Sequence, residues 1–212
     1  MLNLVKGQKV DLTKGEPQLN SIKIGLGWDV NQSGSTDFDL DALALLVDSN
    51  EKIPSQDHLV FYNHPVQDVV KLSKDNRTGI GDGDDEEIVI ALKEVSSHIE
   101  KIILAITIYE AETRKQTFGQ VTRAFARVRM EDSNQDMYRY DLGRDFSAHT
   151  AVIVGEVYRY KGEWKFWAVG RGVNGGLQGL CEQYGLVNVP SKFFIKTKPA
   201  LTPKPENKIN LS

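Results

Sequence analysis

The chain has 212 residues, of which 40% are hydrophobic, and a formal net charge of −3. These values suit one folded domain, with or without a tail, and exclude a wholly disordered chain. The sequence has no run of about 18 apolar residues, so no membrane-spanning helix is predicted. The first residues lack the layout of a signal peptide. Cys181 is the only cysteine, which excludes an internal disulfide and a thiolate metal cluster and favours a cytoplasmic location.

The strand predictions depend on short apolar runs that are rich in β-branched and aromatic residues and end at turn residues. So many short strands predict an all-β-dominated fold, a β-sandwich with one or two short helices. A hairpin at Lys161-Gly162 should join the last two strands. In chain order the predicted strands are Ser21–Trp28, Phe38–Val47, His58–Tyr62, Glu87–Leu92, Lys101–Tyr109, Ala124–Met130, Met137–Asp141, Thr150–Tyr160 and Glu163–Val169.

Two helices are predicted, Lys93–Glu100 and Gly176–Tyr184, the second because its apolar residues recur at helical spacing. After residue 189 the composition changes. Residues 190–212 contain four of the seven prolines and carry a net charge of +4, which leaves −7 for residues 1–189. We therefore predict one domain over residues 1–189 and a Pro- and Lys-rich tail, residues 190–212, that stays extended. The acidic body argues against nucleic acid as a partner.

The stretch Gly27–Ala42 is the first of two acidic clusters that contain glycine. Its spacing partly follows an EF-hand loop, but Leu40 stands where a bidentate Glu is required and the flanks have the period of strands, which disfavours that motif. Asp37, Asp39 and Asp41 alternate at the start of a strand, so their side chains should share one face. Asp29 ends the preceding strand, and the two strand ends are expected to converge on one site.

The stretch GDGDDEE, residues 81–87, places five carboxylates in seven residues. Two like charges about 4 Å apart repel by roughly 1 kcal/mol in water and by about 4 kcal/mol at an effective dielectric constant near 20. Either cluster alone is typical of a solvated loop, but two of them at strand ends indicate a bound cation. Glycines let backbone carbonyls turn towards such an ion. Further candidate ligands here and on the strand that ends at residue 63 are Asn63, Asp75, Asn76, Gly79, Asp82, Asp84, Asp85 and Glu86.

The number of carboxylates favours Ca²⁺, which takes six to eight oxygen ligands, over Mg²⁺, which keeps several waters. No catalytic residue is predicted, since the four histidines are scattered and no nucleophile motif such as GxSxG occurs. The residues therefore predict a calcium-binding module that senses or scaffolds. A metal-dependent phosphoesterase that uses the same carboxylates stays open as an alternative.

Several motifs, taken together and in this order, resemble the tellurium-resistance TerD family over about residues 2–188. After residue 109 the family usually has an Asp, and Glu110 stands there instead, while the basic tail lies outside the resemblance. The motifs are GLGWD (25–29), DFDLDA (37–42), FYN (61–63), DNRTGIGDGDDE (75–86), QTFGQV (116–121), RYDL (139–142) and GEWKFWAVGRG (162–172).

The resemblance implies a C2-like β-sandwich that holds two adjacent Ca²⁺ ions in its acidic loops. It also implies a bacterial stress response: tellurite resistance together with phage and colicin defence. The implied partners are other stress-response proteins of the same system, in the cytoplasm or at the inner face of the membrane. Docking of a C2-like domain to anionic lipid through Ca²⁺ is a further alternative, and the basic tail is a candidate for contact with lipid or an acidic partner.

Overall fold

The computed structural model describes residues 1–30, 38–74 and 83–196. Within these ranges, thirteen strands form two sheets that pack as a sandwich with two short α-helices, which confirms the predicted fold class. The strands are β1 Leu2–Leu4, β2 Lys9–Asp11, β3 Ile22–Val30, β4 Leu40–Val47, β5 Leu59–Val60, β6 Val66–Gln67, β7 Val70–Lys74, β8 Glu86–Ile90, β9 Lys101–Ile108, β10 Val121–Met130, β11 Asp136–Asp141, β12 Ala151–Tyr160 and β13 Glu163–Val173, and the helices are α1 Ala111–Arg114 and α2 Gly176–Gln183.

The first sheet has the strand order β1-β11-β10-β3-β8-β7-β6, and the second has the order β2-β13-β12-β9-β4-β5. The consecutive strands β3 and β4 therefore belong to different sheets. Each of the nine predicted strands overlaps an observed one, whereas the shorter strands β1, β2, β6 and β7 and the helix α1 were not predicted. No helix in the described ranges is long and apolar enough to cross a membrane.

Strand β4 is buried on both faces, which explains why its sequence loses the alternation with which it begins. Leu40, Ala42, Ala44 and Leu46 point into the main core between the sheets. Leu43, Leu45 and Val47 point the other way, into a second core on the outer face of the six-stranded sheet, which α2 and residues 193–194 cover. Asp39 and Asp41 have the same odd parity as Leu43, so they lie at the edge of this second core.

The predicted helix at residues 176–184 is confirmed as α2, and its apolar face, formed by Leu177, Leu180 and Cys181, is buried in the second core. The predicted hairpin is also confirmed, because Tyr160 pairs with Glu163 across a two-residue turn. Both turn residues, Lys161 and Gly162, have positive φ angles, the combination that matches the twist of a two-residue hairpin.

The predicted helix Lys93–Glu100 is wrong: these residues form turns. Val95 and Ile99 are buried four residues apart, a spacing that imitates a helix face. Backbone carbonyls of this segment are bound by a side chain instead of by helical N–H groups. The Arg159 guanidinium of β12 donates to the oxygens of Val95 (2.6 Å) and Ile99 (3.0 Å). A long-range side chain thus replaces the hydrogen bonds that a helix would have made.

We expect Arg159→Met to destabilise the domain by about 1–3 kcal/mol, because it leaves partly buried carbonyl groups without a donor while keeping much of the aliphatic stem. Chemical denaturation measures the change. Arg144→Met, at an exposed position, is the matched control and should alter stability by less than about 0.5 kcal/mol. Equal effects of the two substitutions would show that Arg159 does not hold this segment.

Candidate metal centre

The described acidic candidates follow the end of β3 or lie at the starts of β4 and β8, but they face different partners. Leu26 of β3 pairs with Glu86 of β8, which brings the end of the first strand beside the start of the second. The Glu86 carboxylate then reaches across to the other sheet and accepts a hydrogen bond from the Ala42 N–H of β4 (2.7 Å). This contact links the second acidic stretch to the strand that carries Asp41.

Asp39 and Asp41 converge on a cation that the chain itself supplies. The Lys196 ammonium nitrogen lies 2.7 Å from Asp39 Oδ1 and 2.6 Å from Asp41 Oδ1. The Asp41 side chain is only 2% exposed and the Lys196 side chain 11%, so this ion pair is formed largely out of water. Two aromatic rings complete the surroundings, with the ammonium 5.0 Å from the Tyr62 centroid and 5.1 Å from that of Tyr109.

The electrostatics of this cluster favour a positive charge at its centre. Burial acts to lower the pKa of the Lys196 ammonium, but the Asp41 and Asp39 carboxylates outweigh it and the pKa is raised. Burial and then the Asp41 carboxylate raise the pKa of Tyr62, so its hydroxyl stays protonated. The Tyr62 hydroxyl donates a hydrogen bond to the backbone oxygen of Phe194.

Lys196 is brought to the site by residues 190–196, hereafter the 190–196 segment, whose Ser191–Phe194 part is a 3₁₀ helix. Its Phe193 ring lies 5.1 Å from the Phe61 ring, between centroids. Asn63 Nδ2 donates to the carbonyls of Phe193 (2.9 Å) and Ile195 (2.7 Å). The start of the tail predicted to be extended is therefore packed on the sandwich, while residues 197–212 lie outside the described ranges. Asn63, a predicted ligand, uses its amide nitrogen to hold this segment.

Asp85 and Glu86 are buried acceptors for the backbone. Asp85 Oδ2 accepts from the Trp28 N–H at 2.8 Å, and the two carboxylate residues are 3% and 1% exposed. The neighbouring strand β5 pairs only with Ala44 and Leu45 of β4. The Glu86 carboxylate therefore accepts the Ala42 N–H hydrogen bond that a longer neighbouring strand would have accepted. These contacts tie the second acidic stretch to the ends of β3 and β4.

Asp84 faces a different set of partners, on the outer surface of the seven-stranded sheet. Its Oδ1 lies 2.8 Å from Arg127 Nη2, and its Oδ2 contacts Arg129 Nη2, which also lies 2.7 Å from Glu87 Oε1. Gly25 makes the space, since a Cβ at this position would lie 1.9 Å from Asp84 Oδ2. The arginines supply here the positive charge that the acidic sequence requires.

The remaining candidates do not join this cluster within the described ranges. Asp29 forms an exposed ion pair with Arg123 Nε at 2.9 Å. Over residues 1–30, 38–74 and 83–196, no group of three or more His, Cys, Asp or Glu side chains is arranged to hold a metal ion. The predicted ligands Asp37, Asp75, Asn76, Gly79 and Asp82 lie outside the described residues.

A cavity of about 610 Å³ opens beside Asp41 and Tyr62, and Glu110, Glu112 and Glu182 also line it. Glu110, the departure noted from the sequence, has a left-handed backbone conformation with φ +52° and pairs with Arg114 at 3.4 Å. Burial, and then Glu182, raises the pKa of the nearby Cys181 thiol to about 12, so the free thiol stays protonated at neutral pH.

Sequence reasoning missed the cations and rings of the site: Lys196, Tyr62, Tyr109, Arg127 and Arg129. The arginines did leave a signal, because residues 123, 127 and 129 alternate along β10 while Ala124, Ala126 and Val128 fill the core. The basic outer face of such a strand can form ion pairs with acidic side chains that pack beside it. Lys196 had no comparable signal in a segment whose composition is that of a tail.

The geometry defines a class of protein: a β-sandwich that collects acidic loop side chains at one end and balances them with cations. The TerD domain family model matches residues 1–184, and this chain belongs to that family. The chain is 48% identical to general stress protein 16U of Bacillus subtilis (strain 168) over 188 residues, and 46% identical to the tellurium resistance protein TerD of Serratia marcescens over 187 residues. Each match covers 87% of this chain and 97% of the relative.

A solved structure of a telluride resistance protein (TerD) homologue from Streptomyces coelicolor A3(2) has the same fold, with a TM-score of 0.63. It is 22% identical, and the match covers 75% of this chain and 93% of that one. Lys196 lies beyond the residues that the family model matches.

We expect Asp84→Asn to destabilise the fold by about 1–3 kcal/mol, because two partly buried guanidinium groups lose the carboxylate that they share, although Glu87 still pairs with Arg129 (2.7 Å) and Asp136 with Arg127 (3.7 Å). Relief of repulsion in the acidic stretch alone would raise stability. Urea denaturation in the presence of a chelator separates these two effects. The control is Asp141→Asn, whose more exposed side chain pairs with Arg139 at 2.6 Å and should contribute at most about 1 kcal/mol. A more stable Asp84→Asn protein would contradict the structural role.

Proposed function

We propose that this protein is a calcium-binding module of a bacterial stress-response system related to tellurite resistance, and that it acts as a sensor or scaffold and not as an enzyme. The observation that carries the proposal is the convergence of two carboxylates, Asp39 and Asp41, on one positively charged group. The names of the TerD-family relatives, a general stress protein and a tellurium resistance protein, support the stress context.

The residues present fit a hard divalent cation. The Lys196 ammonium is a stand-in ion at contact distance from two carboxylate oxygens, which supports a position that favours positive charge. Carboxylate oxygens are ligands that Ca²⁺ takes in proteins, and a set rich in them suits Ca²⁺ better than Mg²⁺. Asp39 and Asp41 would hold the ion, and Asp37 is a further candidate in the same sequence stretch.

A second ion would draw on the other acidic stretch, residues 75–86, with Asp75, Asn76, Gly79 and Asp82 as its candidate ligands. Asp84, Asp85 and Glu86 make structural contacts with arginines and backbone N–H groups, which supports a role for them in holding the loop rather than in ligation. A bound cation would supply charge neutralisation at this end of the sandwich and order the two acidic stretches relative to each other.

The proposal includes the phage and colicin defence that the family resemblance implies, as a setting in which a calcium-responsive module would act. Its partners would be other stress-response proteins of the same system, in the cytoplasm or at the inner face of the membrane. The two packed sheets that carry the acidic side chains at their strand ends support a scaffold role.

We expect calorimetric titration of chelator-treated protein to show about two Ca²⁺ per chain, with Mg²⁺ binding far more weakly. Asp39→Asn and Asp41→Asn should each remove or strongly weaken one of these sites, because each deletes a charged ligand. Asp57→Asn, at an exposed position, is the matched control and should retain both. Equal affinities for the two ions, or full Ca²⁺ binding by the two site variants, would contradict the proposal.

The same ions should stabilise the fold. A ligand at about 100 times its dissociation constant adds roughly 2.7 kcal/mol per site, which for a domain of this size raises the melting temperature by about 5–10 °C. Calorimetry with and without calcium checks this expectation. A folded protein whose melting temperature does not respond to calcium would show that the acidic stretches are only solvated loops.

A further inference from the structure

The 190–196 segment is attached to the acidic end of the sandwich by contacts of several kinds. Besides the Asn63 and Tyr62 hydrogen bonds, the Lys196 backbone N–H donates to the Tyr109 hydroxyl at 3.1 Å. Phe193 and Phe194 pack against the second core. The side chains that receive the segment belong to the sandwich, and the segment itself lies beyond the matched family domain.

At the centre of these contacts lies the Lys196 ammonium group. Two carboxylate oxygens approach the Lys196 nitrogen at hydrogen-bond distance, and two tyrosine rings lie within about 5 Å of it. An ammonium group offers N–H donors to the carboxylates, and a cation over aromatic faces is attracted by their quadrupoles. The side chains of Asp41 and Lys196 are both about nine-tenths buried or more, so solvent screens the contact far less than it screens a surface ion pair.

We infer that Asp39, Asp41, Tyr62 and Tyr109 form a lysine-ammonium site, which the chain fills with its own Lys196, and that Lys196 competes with a divalent cation for the same two carboxylates. The competition rests on the proposed calcium binding, whereas the ammonium site does not. The two occupants exclude each other because the Lys196 nitrogen already lies within 2.7 Å of both carboxylates.

Two consequences follow from this exclusion. The apparent calcium affinity equals the intrinsic affinity multiplied by the fraction of time that the 190–196 segment is undocked, since only the undocked form can bind the ion at this site. By reciprocity, calcium binding drives the segment off the sandwich and exposes Phe193 and Phe194, which are partly buried in the docked segment. The segment is thus a calcium-sensitive strap, and its apolar residues are what a change in calcium presents to a partner.

The ammonium site is tested first without calcium, in the full-length protein. Acetylation of primary amines, followed by mass spectrometry, compares the reaction rate of Lys196 with that of Lys192, an exposed lysine of the same segment. In chelator, a segment docked about nine-tenths of the time should protect Lys196 about tenfold. Asp41→Asn should remove most of the protection. Equal acetylation rates for the two lysines in the unsubstituted protein would overturn the ammonium site, whether or not the protein binds calcium.

The competition is tested next by calorimetry of Lys196→Met, with Lys192→Met as the matched control. Lys196→Met should bind calcium more tightly by the same factor that measures the protection of Lys196, about tenfold in the example above, because one docked fraction sets both quantities. Lys192→Met should bind as the unmodified protein does. Saturating calcium should bring the acetylation rate of Lys196 up to that of Lys192.

The two proposals can fail separately. An unchanged or weaker calcium affinity in Lys196→Met would overturn the competition while leaving calcium binding in place. If Lys196 is protected in the unsubstituted protein, but neither that protein nor Lys196→Met binds calcium, the ammonium site is upheld and the proposed function is refuted. Persistent protection of Lys196 at saturating calcium would also overturn the competition.

Discussion

Burial of carboxylates at one end of the sandwich is the constraint on which the rest of this structure depends. Asp41, Asp84, Asp85 and Glu86 are each at most 6% exposed. A buried carboxylate is tolerated only when hydrogen bonds or opposite charges replace the water it has lost. The ends of β3, β4 and β8 are arranged around this requirement, and so is a segment from beyond the family domain.

The protein meets the requirement in three ways, and each shapes a different part of the fold. Backbone N–H groups of Trp28 and Ala42 serve Asp85 and Glu86, which fixes the position of the second acidic stretch between the sheets. Arginines on the outer face of β10 serve Asp84, which requires a glycine at position 25 of the facing strand. Lys196 serves Asp39 and Asp41, which brings the 190–196 segment back onto the sandwich.

These three solutions differ in how readily they can be exchanged. The backbone donors and the arginines belong to strands of the sandwich and cannot leave without disrupting it. Lys196 is held on a short segment by a handful of hydrogen bonds and aromatic contacts. Asp39 and Asp41 are therefore the pair at which the proposed calcium ion would replace a cation of the chain itself.

Much of the fold could be predicted because strand signals are local. Alternating and β-branched runs located nine strands, and the fully apolar part of β4 reflects burial on both faces. The prediction of a helix at Lys93–Glu100 is wrong because carbonyl groups of this segment are bound by Arg159, a residue distant in sequence that local reasoning could not supply. The acidic residues at the strand ends could be predicted from local sequence, but the cations that pair with them could not, because the pairing of Lys196 with Asp41 depends on where a tail-like segment folds back.

Anomalous diffraction from calcium-soaked crystals of the full-length protein tests the central claim most directly, because it locates the ion and the 190–196 segment together. The account predicts an anomalous peak about 2.3–2.6 Å from carboxylate oxygens of Asp39 and Asp41, with the Lys196 ammonium displaced from its position in the chelator-treated crystal. Lys196 still seated between the two carboxylates, with calcium bound elsewhere or not at all, would contradict it.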